Sequence, residues 1–128
     1  MEIVRHNPTK GIYPATPDYV HALEVRNPNR FLYVSGTMGL DEQGIAGKTL
    51  TDQLTLIWSN IRAILASAGM SVDNIVRVTS YLRDPSYAEE NQNARVAALN
   101  GRVVPTTTIV AQTLVTDWLV ETEIVAAA

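Results

Sequence analysis

The sequence contains no cysteine, which removes a disulfide frame, a thiolate nucleophile and any cysteine-ligated metal site. Histidine is almost as scarce. His6 and His21 are the only two, with no second ligand at metal spacing, so no metal site is expected. No serine sits in a Gly-x-Ser-x-Gly elbow, which leaves out that class of nucleophile. Charge is thin as well, with charged residues at 18% and a net charge of −3. Nucleic-acid binding through phosphates needs a clustered basic face, and none is present, so no nucleic-acid partner is expected. No apolar run approaches the ~20 residues that span a bilayer, and no signal-peptide pattern opens the chain. The expected setting is cytoplasmic, with no membrane partner.

Hydrophobic residues make up 46% of the 128 positions. That reads as a single domain over residues 1–128, long enough to bury roughly two-thirds of the surface its unfolded chain exposes. Glu2 to Arg5 reads as a short strand, followed by a turn-rich loop from His6 to Pro17. Tyr19 to Arg26 and Phe31 to Ser35 read as strands around an Asn27-Pro28-Asn29 turn. Gly36 comes next and permits a bulge or a close approach to the backbone.

A helix is predicted from Leu50, where apolar residues recur at Leu54, Ile57, Ile61, Ile64 or Leu65, and Ala68. Thr49 or Thr51 can cap its start, and Gly69 stands where a left-handed C-terminal cap is wanted. Ile75 to Leu82 is a strand with apolar or aromatic residues on both faces, which predicts burial on both sides. Asp84-Pro85 opens a second helix that ends at Gly101, with Tyr87, Asn91, Ala94 and Ala98 as its inward stripe. Asn91 is an amide on an apolar face, satisfied there either by backbone or by a ligand.

Pro105 to Ala128 carries the chemistry. Thr106 to Ala111 is a β-branched run, Leu114 to Trp118 breaks the pattern, and Leu119 to Ala126 alternates. Alternation puts Glu121 and Glu123 on one face and Val120, Thr122 and Ile124 on the other. The two strands are expected to form a hairpin with two carboxylates side by side, either a solvated edge or a buried acid or base. The whole is an α+β fold, a mixed five- to six-stranded sheet with two helices packed on one face. The other sheet face then needs a cover, and a second subunit is the simplest one. Gly47-Lys48-Thr49 imitates the end of a phosphate-binding loop, but the glycine that motif needs at position 42 is Glu.

Four stretches in register carry a resemblance: Tyr33-Val34-Ser35-Gly36, Asn60 to Gly69, Val76 to Asp84, and Val120 to Ala126. Together they resemble the RidA (YjgF) family of imine and enamine deaminases, from about Tyr19 onward. The resemblance implies a chorismate-mutase-like fold and a homotrimer with ligand clefts between subunits. It also implies a small-molecule substrate, a reactive imine such as 2-iminopropionate or its enamine, hydrolysed to ammonia and a keto acid without a cofactor. Position by position, Glu123 matches the water-activating acid and Tyr19 the N-terminal cleft tyrosine. Ser35 and Gly36 match the cleft backbone segment, and Asn91 the helix asparagine near it. The arginine with which the family forks the substrate carboxylate falls at Thr107, and no other arginine in that strand compensates. The chain thus resembles the family's arginine-lacking branches, and threonine there suits a neutral carbonyl or hydroxyl, or a ligand whose acid group is held elsewhere. Three functions fit: a hydrolase of a small C=N compound, a non-catalytic trimer that binds a small metabolite or regulates a partner, or an RNA-cleaving role. The acidic balance weighs against the last.

Overall fold

Thr49 starts the first helix by accepting a hydrogen bond from the Asp52 N–H at 3.1 Å, so Gly47-Lys48-Thr49 is a helix cap. In the computed structural model, which describes residues 1–128, this helix, α1, spans Leu50–Ser67. Its buried face is Gln53, Leu54, Ile57, Trp58, Ile61 and Leu65. Ile57, Ile61 and Leu65 are fully enclosed, each contributing about 1.5–3 kcal/mol of apolar burial as an upper estimate. At its end Gly69 takes a φ of 67°. The Gly69 N–H bonds to Ala66 O and the Met70 N–H to Leu65 O, both at 2.9 Å, which is the paired closure of a Schellman cap.

The strands are β1 (Glu2–His6), β2 (Ala22–Arg26), β3 (Phe31–Met38), β4 (Ile75–Leu82), β5 (Thr106–Val110) and β6 (Val120–Ala127). They divide into an antiparallel β1–β2 pair and a four-stranded sheet in the order β3-β6-β4-β5. In that sheet β6 runs antiparallel to both neighbours, and β5 is parallel to β4. The expected β5–β6 hairpin therefore does not form, because β4 lies between them. The cause is the second helix, α2 (Ala88–Ala98): a strand–helix–strand crossover makes β4 and β5 parallel neighbours. Residues 111–119 then carry the chain to the other side of β4.

Helix α2 is preceded by a 3-10 turn, Pro85–Tyr87, whose start Asp84 caps by accepting from the Ser86 N–H at 2.8 Å. It closes with a second Schellman pattern, Gly101 N–H to Val96 O and Asn100 N–H to Ala97 O, both at 3.1 Å. Asn100 holds the first left-handed position, with φ of 53°, one residue ahead of the expected glycine.

Both helices lie on one face of the sheet, over Val34, Val78, Leu82, Val120 and Ile124. The alternation expected for β6 holds, with Val120, Thr122 and Ile124 buried and Glu121 and Glu123 half-buried on the opposite face. Burial of β4 on both sides is not met. Ile75, Val78, Ser80 and Leu82 are buried, but Arg77 is exposed and Thr79 and Tyr81 are half-buried. The chain folds as two layers, and neither helix covers that side. No helix is long and apolar enough to cross a membrane.

Candidate functional site

The outward face of β6 pairs residue by residue with that of β4: Glu123 lies opposite Thr79, and Glu121 opposite Tyr81. Diagonal neighbours on a sheet face are within reach of long side chains. The Tyr81 hydroxyl accordingly donates a hydrogen bond to one carboxylate oxygen of Glu123. That bond to a carboxylate, helped by burial and by the charges of Glu123 and Glu121, raises the Tyr81 pKa. One Glu123 oxygen is thereby fixed, and the other points at no protein donor.

Glu121 is seated differently. The register between β3 and β6 slips between Val34 and Thr37, so Ser35-Gly36 forms the bulge that the glycine permitted. A Cβ built on Gly36 would stand 2.1 Å from Glu121 Oε2. Only a glycine lets that carboxylate rest against the strand backbone. Gly36, Tyr81, Thr113, Leu114, Glu121 and Glu123 line a cavity of about 230 Å³. On the other side of Glu123, a second cavity of about 230 Å³ is bordered by Tyr33, Arg77 and Thr79. Glu123 is the wall they share.

The loop over the first cavity is tied down from behind. Gln53 is only 2% exposed, yet its amide is fully used. It donates to Gly47 O at 2.8 Å and Asp117 O at 2.7 Å, and accepts from the Leu119 N–H at 2.9 Å. Arg83 adds two bonds to Thr113, to its carbonyl and its hydroxyl.

Thr107 sits on the outward face of β5, opposite Thr79, and its hydroxyl accepts a hydrogen bond from Arg77 Nη2 at 3.0 Å. An arginine therefore does reach position 107, from the neighbouring strand. Sequence reading missed it because parallel pairing of β4 with β5 is a long-range fact that no local pattern records.

The remaining expected site residues do not converge within one chain. Ser35 is exposed beside Gly36. Tyr19 packs edge-on against His21, with ring centroids 5.8 Å apart, and borders neither cavity of Glu123. Asn91 is buried at 2% exposure on α2, on the helical side of the sheet. One turn further, Arg95 is buried too, a charge the predicted inward stripe left out. It donates to Asp18 O at 2.8 Å and Asp18 Oδ2 at 2.7 Å, fastening the segment that carries Tyr19 onto α2. Burial pushes the Asp18 carboxyl up, but hydrogen bonds from Thr16 and Arg95 outweigh it and hold the carboxyl below its ordinary value.

Residues 10–128 match the model of the endoribonuclease L-PSP family. The chain belongs to that family, which is the RidA/YjgF family that the sequence resembles. A RutC family protein of Pyrococcus horikoshii is 33% identical over 108 residues, which cover 74% of this chain and 80% of the relative. A RutC family protein of Aquifex aeolicus is 40% identical over 76 residues, 59% of this chain and 58% of the relative. The match to the Aquifex protein thus spans less than two-thirds of that protein's length. Among solved structures, YyfB of the conserved Rid protein family from Yersinia pestis superposes with a TM-score of 0.86 at 24% identity, covering 100% of both chains. Yeast Mmf1 superposes with a TM-score of 0.71 at 23% identity, covering 98% of both. These two share the α+β fold of two helices on a sheet.

Proposed function

We propose that the chain is a hydrolase of small imines, enamines or related C=N compounds, acting in the cytoplasm without a cofactor. Its cleft is completed between subunits of a homotrimer, and Glu123 is its catalytic residue. The observation that carries this reading is the Glu123 carboxylate, with one oxygen held by Tyr81 and the residue standing between two cavities. A carboxylate so fixed can take a proton from water as that water attacks the iminium carbon. The C–O bond forms while the C=N pair moves to nitrogen. Glu123 then returns the proton to that nitrogen; as the C–N bond breaks, the oxygen pair closes the C=O bond and the hydroxyl proton passes through Glu123 to the departing ammonia, so that ammonium and a carbonyl compound leave. Backbone at Ser35 and Gly36 lines the cleft, and Thr107 contacts the ligand. Tyr19 and Asn91 lie away from Glu123 within one chain, so their part in the cleft requires that copies share it. The open sheet face supports sharing, with Phe31 46% and Tyr33 76% exposed on it.

The test is ammonia release from a panel of imines generated in place by an amino-acid oxidase. Wild type is expected to accelerate release for at least one of them, and Glu123→Gln to abolish it with the fold intact. The seat of Glu121 against Gly36 favours a second assignment within the same chemistry. Turnover that survives Glu123→Gln and disappears in Glu121→Gln would make Glu121 the acid. Ligand binding without any ammonia release would leave a non-catalytic binding or regulatory trimer.

A further inference from the structure

We propose that the groove between α1 and α2 is a second ligand site, one that takes a flat apolar carboxylate. It lies on the helical side of the sheet, whereas Glu123 faces the opposite side, so it stands whether or not the chain is a hydrolase. The groove holds about 440 Å³, more than either cavity beside Glu123 and within the ~300–1,000 Å³ of small-molecule sites.

Its shape follows from the sequences of the two helices. Helix α1 contributes Leu54, Trp58 and Arg62, spaced by four residues and so stacked along one helical face. Helix α2 lines the other side with Ala94, Ala97 and Ala98. Alanine ends at Cβ, which leaves that wall hollow beside a floor of buried Leu54 and Trp58.

The polar groups at the indole end are donors without partners. Trp58 is 4% exposed, yet none of the side-chain hydrogen bonds around it uses its indole N–H. That nitrogen is not sealed in either. The enclosed side-chain atoms that lack a partner are Arg95 Nε and Thr122 Oγ1. The indole N–H therefore reaches open space, and the groove is the cavity that Trp58 borders. Arg62, one turn further on, belongs to none of the ion pairs of the chain. The one acid of the groove, Glu90, sits at the far end, where the Thr51 hydroxyl donates to it at 2.7 Å. Thr51 stands about three turns, or 16 Å, before Arg62 on α1.

Free donors at one end, a distant acid and hydrocarbon between them select the ligand. A flat ring fits over Trp58 and against the alanines, while a carboxylate accepts from the indole N–H and from the planar fork of Arg62. Arg62 is exposed, so water screens its share and the burial of the ring supplies most of the affinity.

The test uses 2-naphthoate on the full chain, with 2-naphthamide as its uncharged counterpart. The protein has two tryptophans, hence two indole N–H resonances, and Trp118→Phe assigns the one from Trp58. Naphthoate is expected to move the Trp58 resonance. Calorimetry is expected to show it binding about threefold or more tightly than the amide, the size of one net hydrogen bond. Arg62→Met should erase that preference. Ala97→Leu fills the hollow wall and should abolish the Trp58 shift; Ala97 is exposed, and an unmoved Trp118 resonance verifies that the fold is intact. Glu123→Gln should leave the Trp58 shift as it is, which separates this site from the sheet face. An unmoved Trp58 resonance, equal affinity for acid and amide, a preference that persists in Arg62→Met, or a shift that persists in Ala97→Leu would overturn the proposal. Absence of ammonia release from every imine, with the Trp58 shift intact, would instead sink only the hydrolase reading.

Discussion

Two glycines on β3 and just past it make opposite demands. A Cβ on Gly39 would meet Gln53 Cα and O at 2.5 Å, and helix backbone cannot step aside. Gly39→Ala is therefore expected to cost about 1–3 kcal/mol, measured by chemical denaturation. A Cβ on Gly36 meets the end of a flexible side chain, Glu121 Oε2. Gly36→Ala should cost less than about 1 kcal/mol while driving the Glu121 carboxylate off the backbone, visible in a crystal structure of the variant. Equal losses in both variants would contradict this account of the bulge. Gly36 was legible from sequence because a glycine directly after an apolar and aromatic strand run has few other reasons to be there. Arg95 was not. Its burial depends on Asp18, 77 residues earlier in the chain, and helical periodicity carries no trace of a partner so remote.

At the scale of elements, periodicity and capping chemistry located both helices, since each follows from residues within a few positions. Strand neighbours do not. Thr106 to Ala111 and Leu119 to Ala126 look like a hairpin from sequence alone, and only the crossover through α2 separates them. The segment before β2 shows what a single long-range contact holds. Asp18 is bonded to Arg95, and its carboxyl titrates below its ordinary value of 3.8. A lowered pKa stabilises the fold fully above that ordinary value, and the contribution disappears as pH falls through the lowered one. Acidification below about pH 4 is thus expected to release this segment from α2 before the sheet yields. Hydrogen exchange at the Tyr19 N–H, bonded to Thr16 O at 3.3 Å, is the probe. Exchange there that does not quicken ahead of the strands would count against the clamp.

For the whole molecule, two layers are built by one chain and a third side stays bare. Tyr33, Ile109 and Phe31 stand on it, and Leu114 is 93% exposed at the rim. Light scattering at micromolar concentration is expected to give about three chain masses for the proposed homotrimer; a monomer would refute both that assembly and the shared cleft. The sheet order has another consequence, for synthesis. Strand β6 is the partner of both β3 and β4, yet it is made after either of them. Until it emerges, a nascent chain holds β3 with no partner in this sheet and β4 with at most one side joined to β5. The growing polypeptide must carry those open edges, with their hunger for backbone partners, past every other chain on the polysome. Slow translation of residues 111–119 would lengthen that exposure, and a chaperone that shields strand edges would shorten it.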